Sequence, residues 1–62
     1  MITYTFEYSD FRIRPLRYSS VEGAEGVNTV EAARKFIESH PDLLHNYTFR
    51  LAGSDGSEII PQ

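Results

Sequence analysis

Residues 2–8 read Ile-Thr-Tyr-Thr-Phe-Glu-Tyr, a strict alternation that puts Ile2, Tyr4, Phe6 and Tyr8 on one face and Thr3, Thr5 and Glu7 on the other. Side chains on a strand alternate between faces, so this stretch predicts a half-buried β-strand. A second alternation follows Ser9-Asp10, with Phe11 and Ile13 opposed to Arg12 and Arg14. If Ser9 and Asp10 form a two-residue turn, Tyr8 faces Phe11, Glu7 faces Arg12 and Phe6 faces Ile13, which pairs apolar with apolar and opposite charges together. Ser-Asp is not a favoured hairpin pair, so a longer loop stays open as an alternative. The alternation fails at Pro15. A bulge there returns Leu16 and Tyr18 to the core, and because proline lacks a donor the second strand belongs at an edge.

Residues 19–27 carry two glycines and two glutamates without a period and predict a loop with room for a short extended piece. Asn28 with Glu31 forms a capping-box pattern, and Val27 can staple against Ala32, so a helix is expected from Thr29. Val30, Ala33, Phe36, Ile37 and His40 form its apolar stripe, and Glu31–Lys35 and Arg34–Glu38 are favourable pairs on the other side. Pro41 disfavours helical backbone at His40, which stops the helix there or one residue earlier. Leu43 and Leu44 are expected to plug the end of the core. Tyr47, Phe49 and Leu51 alternate with Thr48 and Arg50 as a third strand, and a turn at Asp55-Gly56 leads to a short fourth strand over 57–60.

These elements predict an α+β fold: two layers, an antiparallel three- to four-stranded sheet with one helix packed on one face, in ββαββ order. The expected strand order is second, first, third, fourth. A ubiquitin-like grasp arrangement, with the last strand parallel to the first, is the alternative; Ser57-Glu58-Ile59-Ile60-Pro61-Gln62 is short and polar for a central strand. At 62 residues the chain has room for a single domain. A domain of about 60 residues buries only about 60% of the surface its unfolded chain exposes. Without cysteine there are no disulfides or thiolate metal sites, so four Tyr and four Phe must supply the core.

The charge balance limits function. Nine acidic residues against six Lys and Arg give a net charge of −3, which repels phosphate backbones and anionic lipid and steers a basic partner favourably. Cytoplasmic placement is expected from the absence of cysteine and of any apolar run long enough for a signal peptide or a membrane span.

One helix covers only one sheet face, and the other is expected to carry Thr3, Thr5, Glu7, Arg12, Arg14, Thr48 and Arg50. Guanidinium forks bind carboxylate and phosphate bidentately, which makes Arg12, Arg14 and Arg50 one candidate contact patch; solvation and pairing with Glu7 is the ordinary alternative. Glu22, Glu25, Glu31 and Glu38 form a candidate acidic surface. His40, Asp42 and His45 hold potential zinc ligands at a spacing that matches no familiar ligand set, so no metal or other cofactor is expected. Asn46-Tyr47-Thr48 fits the glycosylation acceptor pattern by chance. No nucleophile, base and orienting group are tied together by a motif, and no catalytic residue is expected.

The segment Asn28-Thr29-Val30-Glu31-Ala32-Ala33-Arg34-Lys35-Phe36 resembles the helix entry of the three-stranded-sheet DNA-binding domains of plant ethylene-response factors and integrase arm regions. Those sheets are basic and bear tryptophan; this chain is acidic and has none, so no function is carried over. The function expected is a small, non-enzymatic protein-binding module, an inhibitor or adaptor of the phage or mobile-element type that acts by surface occlusion. The alternative is a nucleic-acid-binding domain that uses the arginine-bearing sheet face.

Overall fold

The computed structural model describes residues 1–61. Four strands form one antiparallel sheet in the order β2-β1-β3-β4: β1 (Tyr4–Asp10), β2 (Ser19–Ser20), β3 (Tyr47–Gly53) and β4 (Glu58–Ile59). One helix, α1 (Val30–Ser39), and a 3-10 turn (Pro41–His45) lie between β2 and β3. This is the expected α+β class and strand order, and the grasp alternative falls because β4 lies at the edge beside β3.

The sheet is built around β1 and β3, which pair from Tyr4↔Gly53 to Asp10↔Tyr47. In that register Phe6 faces Leu51 and Tyr8 faces Phe49, so at the centre of the ladder apolar meets apolar on the covered face. Phe6, Phe49 and Leu51 are buried there, with Ala33 and Ile37 of α1 above them and Ala24 from the connecting loop. The Phe36 ring meets Phe6 edge-on at 5.2 Å, and Phe6 stacks on Phe49 at 5.3 Å. Each such aromatic pair contributes about 0.5–1.5 kcal/mol beyond its buried area. Pro61 is also fully buried, and its carbonyl accepts from Arg34 Nε–H at 3.1 Å, which ties the end of the described chain to α1.

The second strand departs from expectation. It is not Phe11–Arg14 but Ser19–Ser20, paired as Tyr8↔Ser19 and Glu7↔Ser20. β1 continues through Ser9 and Asp10, and the Asp10 carboxylate accepts the Arg12 backbone N–H at 2.9 Å. The Ile13 N–H reaches the Asp10 carbonyl at 3.1 Å. Asp bonding its own backbone two residues on closes a turn, so Phe11 and Arg12 occupy the turn instead of opposing Tyr8 and Glu7. Residues 11–18 then form a loop, and the expected bulge at Pro15 does not arise. Phe11, Ile13 and Leu16 are 39%, 62% and 42% exposed and contribute nothing to the core.

Smaller corrections follow the same local chemistry. The helix is capped by Thr29, whose Oγ1 accepts the Ala32 N–H at 3.1 Å, not by Asn28; Glu31 therefore sits in the first turn, where a carboxylate suits the helix dipole. Arg34 bonds Pro61 and not Glu38. Leu43 packs against the core, whereas Leu44 is exposed. Ile2 lies before β1 and is exposed.

Candidate functional site

The open face of the sheet centres on Arg50. It stands directly opposite Glu7 in the β1–β3 ladder; its Nε donates to Glu7 Oε1 at 2.9 Å, and its Nη2 forms an ion pair with the same oxygen at 2.9 Å. Its Nη1 donates to Glu58 of β4 at 2.9 Å. The Tyr18 ring, just before β2, lies beneath the guanidinium. Tyr18 was expected in the core; it returns on the other face because the chain enters β2 one residue later, opposite Tyr8. Burial works against the charge of Arg50, but its hydrogen bonds to Glu7 and Glu58 outweigh it and raise its pKa. The guanidinium therefore spans three strands as a fixed cation with its donors already engaged.

Arg12 is engaged as well. Its Nε and Nη2 grip both oxygens of Asp10 at 3.0 and 2.8 Å. Hydrogen bonds from the Arg12 side chain, then from its backbone N–H, hold the Asp10 carboxyl down to about 2, and the same pairing raises the Arg12 pKa.

The structure separates the three arginines expected to form one patch. Arg50 lies on the sheet, Arg12 at the end of β1, and Arg14 further out on the 11–18 loop, so neither Arg12 nor Arg14 stands on the open sheet face. What the loop gathers instead is Arg12, Arg14 and Arg17 interleaved with exposed Phe11, Ile13 and Leu16. Three of the six cations and none of the nine acidic residues fall in residues 11–18, leaving three cations against nine acids elsewhere. Arg17 is not among the residues the sequence assigned to the patch. The signal available was Asp10, a residue suited to closing a turn of its own.

Glu22 and Glu25 are exposed on the loop before α1, and Glu31 and Glu38 on the helix itself. Glu31 lies 3.9 Å from Lys35. Glu22 and Glu25 border an open groove of about 430 Å³ against Thr3–Phe6, and a second depression of about 370 Å³ lies at the 11–18 loop.

His40 caps α1. Its ring stacks on Phe36 at 4.5 Å, and its Nδ1 donates to the Phe36 carbonyl at 3.0 Å. Among the described residues no three His, Asp or Glu side chains gather as a metal site, and no helix is long and apolar enough to cross a membrane. No family model, curated protein or solved structure matches the chain.

Proposed function

We propose that this chain is a small protein-binding module that acts by covering part of a partner's surface, with the 11–18 loop as its leading edge. The observation that carries this is the exposure of Phe11, Ile13 and Leu16 on one loop, in a chain whose buried hydrophobic residues, among those described, are Phe6, Ala24, Ala33, Ile37, Phe49 and Leu51. Fully burying a large apolar side chain stabilises a fold by about 1.5–3 kcal/mol. A domain with so small a core has little stability to forgo, so three such side chains held outside favour a role at an interface, where aromatic residues and arginine are enriched. Arg14 and Arg17 extend from the same loop, while Arg12 and Arg50, already paired, fix its two ends. Glu22, Glu25, Glu31 and Glu38 supply a separate acidic surface toward a basic region of a partner.

Binding by occlusion suits an inhibitor or adaptor, and a cysteine-free chain suits the cytoplasm. A nucleic-acid role is less favoured: Arg50 is committed to two carboxylates, and an acidic body opposes an extended polyanion.

Affinity capture from a lysate of the source cells tests the proposal, comparing wild type with an Ile13→Asp, Leu16→Asp variant shown to be folded by circular dichroism. The expected result is an abundant protein retained by wild type and lost from the variant. Identical captures, or retention of nucleic acid alone, would overturn it.

A further inference from the structure

The cations of this chain divide sharply by whether the fold already uses them. Arg12 is paired with Asp10, Arg34 with the Pro61 carbonyl, Lys35 with Glu31, and Arg50 with Glu7 and Glu58. Arg14 and Arg17 hold no hydrogen bond or ion pair among the described residues. Both line the same cup of about 370 Å³ at the end of β1, together with Ser9, Asp10, Ile13 and Pro15.

The chemistry of that cup is specific. Arg14 and Arg17 both border it, and the carboxylate in its wall, Asp10, is taken up by Arg12. Two cations bordering one depression without a free counter-ion favour an anion there. Ser9, 3% exposed, lines the cup as well. Ile13 and Pro15 supply apolar walls, which would strengthen charge-assisted bonds once a partner covers them and excludes water. Phe11 and Leu16 stand exposed on the same loop.

We infer that this cup receives a carboxylate side chain from an apolar segment of the partner protein, gripped by Arg14 and Arg17. The inference rests on the protein-binding function proposed above and names the chemistry of the partner. An extended polyanion fits less well, since outside the loop nine acidic residues face three cations and would be drawn against its charge. A local carboxylate flanked by apolar side chains meets the loop without that repulsion.

The test is NMR titration of the isotopically labelled chain with a short peptide alternating glutamate and leucine, and with a matched peptide carrying glutamine for glutamate. The glutamate peptide is expected to shift the Ser9 amide and the Nε–Hε signals of Arg14 and Arg17. The glutamine peptide should bind at least about tenfold more weakly, and so should the glutamate peptide to an Arg14→Gln, Arg17→Gln variant. Lys35→Gln, which removes a cation from the helix, should leave the affinity within about twofold. Equal binding of the two peptides, undiminished binding by the double variant, or tighter binding of single-stranded DNA or phosphatidylserine vesicles through the same arginines would overturn the inference. If the cup fails while capture still depends on Ile13 and Leu16, the binding module stands without it; if capture is also indifferent to Ile13→Asp with Leu16→Asp, both fall.

Discussion

The guanidinium carbon of Arg50 lies 3.9 Å from the centre of the Tyr18 ring, so the residue that joins β1, β3 and β4 through carboxylates also holds the returning end of the 11–18 loop. The loop thus leaves the sheet at a fixed point, the Asp10–Arg12 pair, and comes back to another. Removing Arg50 would strand Glu7, whose side chain is largely shielded from water, and would release Tyr18. Arg50→Ala is expected to destabilise the fold by roughly 2–4 kcal/mol in urea unfolding. Arg50→Lys, which keeps the charge and loses the fork, should cost less. Equal stability of Arg50→Ala and wild type would contradict this role.

Acid should release the start of the 11–18 loop only as pH falls toward 2. Asp10 is held from its ordinary value of 3.8 down to about 2, first by the Arg12 side chain. Between those values the unfolded chain binds the proton more readily than the folded one, so stability rises with pH across that window. The contribution is complete above 3.8 and is lost as pH falls toward 2. Asp55 is shifted the same way, first by the Ser57 hydroxyl. A carbon-detected NMR titration should place the Asp10 midpoint near 2, with the Arg12 amide shifting in step. Titration of Asp10 at its ordinary value would show that the pair with Arg12 does not persist in solution.

Core and loop should respond in opposite ways to substitution. Phe49→Ala empties the middle of the Phe6–Phe36–Phe49 cluster and is expected to cost about 3–5 kcal/mol, comparable to the whole stability of a domain this small. Circular dichroism should find that variant largely unfolded at room temperature. Ile13→Asp, at a site already 62% exposed, should change stability by no more than about 0.5 kcal/mol. A large loss of stability from Ile13→Asp would place that residue in the core and not on a binding loop.

Wherever a periodic pattern was backed by burial, the fold was legible in the sequence. Phe6 and Phe49 alternate with polar residues because one face of β1 and β3 is covered, and Ala33, Phe36 and Ile37 recur at helical spacing because one side of α1 covers it. The Asp55-Gly56 turn was readable for a different reason: Gly56 takes a positive φ of 89°, open to glycine at little cost. Phe11-Arg12-Ile13-Arg14 shows the limit. It alternates as cleanly as a strand, yet Asp10 accepts the Arg12 N–H and turns the chain before pairing can begin. A one-residue competition between side chain and ladder carries no period. The candidate site was displaced for the same reason: with the turn moved, Arg12 and Arg14 left the sheet face, Arg17 joined them, and Arg50 remained beside Glu7.

That division of the arginines is open to direct observation in the isolated chain. Nitrogen-detected NMR of the arginine Nε–Hε groups, recorded with hydrogen-exchange rates, should find Arg12 and Arg50 dispersed and slowly exchanging, and Arg14 and Arg17 at the averaged positions of free arginine. An averaged, rapidly exchanging Arg50, or protected Arg14 and Arg17, would contradict it.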